Sequence, residues 1–488
     1  MRFKFIDFLI FSFILTFICA IAGAKEPLPM AASDENNPET KYLMFQIFTF
    51  NGSAFPPDES VKSQMASTVD DIIMAIHITG DKRHKLGFTP GPLTFDHTDE
   101  DIQHLIKNSF EIARVKNVAV AFHIDDSMFY EKRRDLLDNT DNIEWIDWDK
   151  TPNTGRRLDW SATPTKIAPQ LCLNSMEVEN AVKKRAVLIG QEIKKEIDTL
   201  KREGKEELFA GVIAGWETTI GQDFNTSRYL GYCALSHRGF SAAHQPQDMD
   251  QERVSIVQEF IELWAKELAT AGIPKEKIYA HIAFTPQGFE SNDGKTLSYA
   301  KLVHFATPDI AFNPYYRAGF STYPAPGTFA EIHKELAKHG NPPWASSEGT
   351  NVIPNGFAGE PTMETYLGRM FNHGATLVNI FSWGIGGEAE KKKNFFRLAT
   401  ENTEAVSAYK KFLDGKFLTE EKPSLSSQTI FQEKIRKIQN ELPSWVQKTG
   451  RQSKVAPLLQ RLDGLIKNGQ FQEADKVMEK IFKLMDSP

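Results

Sequence analysis

Phe209-Ala210-Gly211-Val212-Ile213-Ala214-Gly215-Trp216-Glu217 is a short apolar run that ends on a carboxylate. Runs of this length, apolar at nearly every position, are strands buried on both faces. The segment therefore predicts a strand in a parallel sheet, with Glu217 at its C-terminal end. Seven further segments read the same way: Tyr42 to Phe50, Leu86 to Phe95, Asn117 to Asp125, Ile278 to Thr285, Asp309 to Tyr316, Trp344 to Thr350 and Thr376 to Trp383. Segments of helical periodicity alternate with them, among them Asp99 to Lys116, Glu177 to Arg202, Gln251 to Ala271 and Glu388 to Leu413. Such alternation signals βα units. Eight units over residues 41–415, a span longer than the ~250 residues usual for the fold, predict a (β/α)8 TIM barrel enlarged by insertions. A doubly wound open sheet is the structural alternative.

The ends of the chain differ from this pattern. Arg2 and Lys4 precede an apolar run from Phe8 to Ala22, and Ala22-Gly23-Ala24 is a small-residue cleavage pattern. Residues 1–24 thus predict a signal peptide, residues 25–40 a linker, and the mature protein a secreted or periplasmic location. Cys19 follows Ile18, not the small residue a lipoprotein signal requires. No other stretch is long and apolar enough to span a bilayer. The formal net charge of -7, with Lys and Arg scattered, argues against a nucleic-acid surface. Residues 416–427 read as a polar linker and residues 428–488 as a small helical region, with apolar positions such as Ile435, Ile438, Leu442, Leu458, Leu462, Val477 and Ile481.

Two long insertions follow the third and fourth strands, Ser127 to Ser175 and Thr218 to Asp250. In a barrel both rise on the active face. The first carries Trp145, Trp148 and Trp160 among polar residues, a composition suited either to stacking on a sugar ring or to a core within the loop. Cys172 and Cys233 stand one in each insertion, which predicts a disulfide tying the two loops together.

Strand ends are where barrel chemistry gathers. The candidates are His123, Asp125 and Asp126 after the third strand, Trp216 and Glu217 after the fourth, Tyr315 and Tyr316 after the sixth, Glu348 after the seventh and Trp383 after the eighth. A carboxylate following an apolar run costs several kcal/mol to bury unless it has a partner or a task. Two of them fit a retaining glycosidase, where one attacks the anomeric carbon and the other protonates the leaving oxygen.

In these positions the chain resembles clan A of the barrel glycoside hydrolases. The resemblance implies that Glu217 is the acid/base, Glu348 the nucleophile, and a carbohydrate the substrate. It further implies a sixth-strand Tyr beside the nucleophile, a subsite role for His123, and Trp383 under the sugar. One departure is Trp216, which stands where the clan generally has Asn. Asp125 and Asp126 are the reserve acids. No cofactor and no metal are expected. Two other readings remain open: a glycan-binding barrel without turnover, and a metal-dependent hydrolase using His123, Asp125 and Asp126, with His237 and His244 as further donors.

Overall fold

The apolar runs pair side by side, every one of them parallel to its neighbours. The computed structural model describes residues 39–47, 59–158, 164–284, 305–324, 327–351, 362–383, 403–420 and much of 434–485. The barrel strands are β1 (Lys41–Ile47), β2 (His84–Pro90), β3 (Ala119–Asp125), β4 (Phe209–Ala214), β5 (Ile278–Ala280), β6 (Gly319–Ser321), β7 (Trp344–Thr350) and β8 (Ala375–Trp383). Each lies beside its predecessor, and β8 pairs back onto β1. The seam between β5 and β6 is closed by Ala280 N–H to Arg317 O at 3.0 Å, Arg317 N–H to Ile278 O at 2.8 Å and Ile282 N–H to Gly319 O at 2.9 Å. The sheet is therefore a closed (β/α)8 barrel, not a doubly wound open one.

Helices cover the wall because their apolar residues recur at helical spacing. They are α1 (Glu59–Ile76), α2 (Asp99–Lys116), α3 (Met176–Glu203), α4 (Met249–Thr270), α5 (Thr328–Lys338), α6 (Met363–Phe371) and α7 (Thr403–Leu413). In α3, Val178, Val182, Ala186, Ile189, Ile193, Ile197 and Leu200 form the buried stripe. Ser175 accepts the Val178 N–H to start that helix, and Gly204, at φ 67°, ends it. Thr98 and Asp101 form a capping box on α2.

Two expected strands are corrected. The second divides at Gly91-Pro92, and Leu93–Thr94 then pairs separately with β3. The sixth is not Asp309 to Tyr316: Pro308–Ala311 is a 3-10 turn, and the strand is the later Gly319–Ser321. Proline cannot donate to a ladder, so Pro308 and Pro314 bias that stretch toward turns despite its aromatic content.

The insertions after β3 and β4 pack on each other. Arg157 N–H donates to Gln222 O at 2.9 Å and Phe224 N–H to Gly155 O at 2.8 Å, while the Gln170 side chain bridges Thr219 O and the Gly221 N–H. At the far end, α8 (Gln452–Lys467) and α9 (Phe471–Met485) share a core of Ile438, Leu442, Val455, Leu462, Ala474, Val477, Met478 and Ile481, separate from that of the barrel. Among the described residues no helix is long and apolar enough to cross a membrane. The expected signal peptide and residues 25–38 of the N-terminal linker lie outside the described residues.

Candidate active site

Alternation along a strand sends every second side chain into the barrel. At the N-terminal ends these are apolar: Tyr42, Met44, Ala119, Ala121, Ala210, Ile213, Tyr279, Ala345 and Leu377 form one buried cluster. One or two steps further along, the same faces carry Gln46, Thr89, His123, His281, Ser321, Ser347 and Asn379, all buried. Buried polar groups need partners, and these find one another. Thr89 Oγ1 donates to Asn379 Oδ1 at 2.9 Å, and Asn379 Nδ2 donates to Gln46 Oε1 at 3.0 Å. Gln46 Oε1 lies 3.3 Å from His123 Nδ1. His123 Nε2 meets Gly215 O at 3.1 Å and His281 Nδ1 at 3.0 Å. His281 Nε2 meets Ser321 Oγ at 2.8 Å, and Ser321 Oγ donates to Glu217 Oε1 at 3.2 Å. Burial holds both imidazoles neutral, pushing His123 down to about 3 and His281 well below the usual range.

Glu217 ends this chain of contacts in an unusual backbone conformation. Its φ is 49°, and that of Gly215 is 84°. A non-glycine residue there costs about 1 to 3 kcal/mol and persists only where its surroundings hold it. Asp126 supplies the hold: its carboxylate accepts the Trp216 N–H at 3.3 Å and the Thr218 hydroxyl at 2.9 Å. Ser127 Oγ adds a bond to Trp216 O at 2.7 Å. Trp216 is buried and stacks on His123, with ring centres 4.5 Å apart.

Glu348 stands on β7 where the pairing with both neighbours shifts register. Such an irregularity turns a side chain that strict alternation would send outward. Tyr323, two residues beyond β6, donates to Glu348 Oε1 at 2.9 Å. Burial raises the Glu348 carboxyl well above the usual range, the charge of Glu217 raises it further, and the Tyr323 hydroxyl and Trp216 indole oppose them. Ser321 and Tyr323, two residues apart in the chain, thus bond one glutamate each.

The other expected residues fall into three groups. Trp383 ends β8 buried, edge-on to Phe45 at 5.3 Å. Asp125 does structural work: Oδ1 accepts the N–H groups of Ser127 and Met128. Burial pushes its carboxyl up to about 7 and that of Asp126 to about 6. Tyr315 and Tyr316 precede β6, at the end of the barrel away from the site; Tyr316 donates to Ile310 O, and Tyr315 lies beside Lys266 and Lys275. The tyrosine that reaches Glu348 is Tyr323.

Of the loop tryptophans, Trp145 is bonded to Thr140 O, covered by Lys150 and buried in the main hydrophobic core. Trp148 packs edge-on to Tyr232, and Trp160 lies outside the described residues. Cys172 and Cys233 come together, but as two free buried thiols and not as the expected disulfide.

The metallohydrolase set is not assembled. His237 sits by Cys172 and His244 by Phe240. His123, His281 and Glu348 do approach within ligand distance of one another, yet both rings already spend their nitrogens on Gln46, Gly215, each other and Ser321. A cation there would have to break those contacts.

No protein-family model matches the sequence, and no curated protein matches it. Among solved structures, the catalytic domain of a beta-amylase from Paenibacillus polymyxa is 6% identical at a TM-score of 0.43, covering 78% of this chain and 99% of that one. An endo-beta-1,4-mannanase from Thermotoga petrophila is 9% identical at 0.43, covering 79% of each chain. A glycoside hydrolase family 5 enzyme from Prevotella bryantii B14 is 10% identical at 0.38, covering 78% and 99%. Likenesses this distant carry no argument about activity, so the site must speak through its own geometry.

Proposed function

We propose that this chain is an exported glycoside hydrolase that cleaves a glycosidic bond with retention, using Glu348 as nucleophile and Glu217 as general acid/base. The observation that supports this most is geometric: two buried carboxyls, Glu217 just past β4 and Glu348 on β7, are bonded by hydroxyls two residues apart, Ser321 at 3.2 Å and Tyr323 at 2.9 Å. Such a pair shares one proton at neutral pH, because two close buried charges repel. Burial and the charge of Glu217 favour a proton on Glu348, while the Tyr323 hydroxyl and the Trp216 indole favour its anion; the proposed reaction starts from the arrangement in which Glu348 is the anion and Glu217 carries the proton. The Glu348 carboxylate then attacks the anomeric carbon while Glu217 gives its proton to the departing oxygen. A water deprotonated by Glu217 releases the sugar from Glu348 with its original configuration. The basic, then apolar start of the sequence supports export.

The test is a pair of variants assayed over a panel of aryl and natural glycosides. Glu348→Gln is expected to lose turnover on every substrate, by ~10⁴-fold or more, since it removes the attacking group. Glu217→Ala keeps part of its turnover on substrates with good leaving groups, and azide restores more. Full activity in Glu348→Gln would overturn the assignment. Binding without hydrolysis by the unaltered protein would make it a glycan-binding barrel.

A further inference from the structure

A second cluster of chemically capable side chains lies outside the barrel mouth, where the two insertions meet. Cys233 and His237 stand four residues apart on the short helix Tyr232–His237, a spacing that puts both on one face. Cys172 faces them from the end of the other insertion, just ahead of α3. Its Sγ lies 3.7 Å from His237 Nδ1, and one ligand atom from each residue falls within 4.8 Å of the other two.

We propose that Cys172, Cys233 and His237 bind one zinc ion, which fastens the insertion after β3 to the insertion after β4.

Zinc holds sulfur at about 2.3 Å and imidazole nitrogen at about 2.0–2.1 Å in a tetrahedron, so its ligand atoms stand roughly 3.4 to 3.8 Å from each other. The Cys172–His237 separation already has that value. A disulfide would instead need the sulfurs about 2.05 Å apart. Charge points the same way. Glu144 is buried between the insertions; its Oε2 accepts the N–H groups of Gly231 and Cys233, and its Oε1 has no protein partner. A bound dication lets both thiols ionise. His237 is exposed, which gives the ion a way in and leaves its fourth position to water. On binding, Nδ1 exchanges its contact with Asn174 O at 3.3 Å for the metal, and the ring proton moves to Nε2.

The full-length protein, reduced and stripped of metal, is titrated with Co²⁺ as a spectroscopic stand-in. One cobalt per chain is expected, with a thiolate-to-cobalt charge-transfer band that one equivalent of Zn²⁺ abolishes. Cys172→Ser should remove the band and weaken zinc binding by at least about 100-fold. His237→Gln, at an exposed position, should weaken it by at least about 10-fold. No band at stoichiometric cobalt would overturn the proposal, and so would unchanged zinc affinity in His237→Gln. Thiol counting on denatured, unreduced protein is the remaining arm: loss of the Cys172 and Cys233 thiols from the count, with Cys19 still free, would mean a Cys172–Cys233 disulfide and would also overturn it. None of these readouts involves a glycoside, so they stand apart from the fate of the glycosidase assignment.

Discussion

Single residues near the site show burial working against charge. Asp125 has its carboxyl raised from the ordinary 3.8 to about 7, by burial first. The folded chain therefore holds a proton that the unfolded chain releases near pH 4. Stability from this group is fully present below about pH 4 and is lost as pH rises to about 7. Asp126, raised to about 6, and Glu144, raised to about 7, act in the same direction. Asp125→Asn keeps an oxygen for the Ser127 and Met128 N–H groups but removes the charge. Urea unfolding across pH 4 to 8 should show the wild type losing more stability than the variant, by roughly 1 to 3 kcal/mol. Parallel losses would mean that the carboxyl is already ionised without penalty. The two glutamates were legible in the sequence because an apolar run ending in Glu is a costly arrangement. Their partners were not. Gln46, Asn379 and Ser321 are ordinary residues whose meaning comes from neighbours on other strands. His281 did carry a signal, since it shares the inward face of Tyr279 two residues earlier.

Among the elements, β6 is the one the sequence concealed, and its packing explains why. Ser347 Oγ on β7 reaches over it to Ala280 O on β5, at 2.5 Å. Between them lies Gly319, where an added Cβ would come 2.0 Å from Ala280 O and 2.4 Å from Ser347 Oγ. A strand confined this tightly has three positions, with small residues at the two that face inward, so it shows no hydrophobic run to read. The denser aromatic stretch before it drew the assignment, and the wrong tyrosines with it. Gly319→Ala gains some strand propensity, worth at most ~1 kcal/mol, but it meets a backbone carbonyl that cannot rotate away. The net expectation is a loss of at least about 1 to 3 kcal/mol, with lower activity because Ser321 and Tyr323 follow directly. Thermal unfolding that matches wild type would show that the seam has more room than the geometry gives it.

At the scale of the molecule, the boundary between barrel and tail lies later than residue 415. Leu418 is buried against the barrel, Thr419 N–H bonds Glu364, and Glu420 pairs with His373 at 3.0 Å beside α6. The composition change near Gly415 was read as the start of a linker, because polar residues that dock through one leucine look like solvent-facing chain. A chain ending at residue 427 is expected to keep wild-type turnover, since the helical tail has its own core. One ending at residue 415 should lose about 2 kcal/mol, chiefly from Leu418, and the exposed ion pair adds little. Equal melting temperatures for the two truncations would place the boundary back at Gly415.

The polar ring inside the barrel draws on β1, β2, β3, β5, β6, β7 and β8, and its hydrogen bonds join residues as far as 333 positions apart. No short stretch of the chain therefore contains a working site. Contacts this distant form late in folding, after costly loop closure. A nascent chain leaving the ribosome has its carboxylates long before it has the neighbours that tune them. The site is complete only when β8 reaches β1 and the short seam at β5 and β6 shuts, so an unfinished copy lacks the assembled ring.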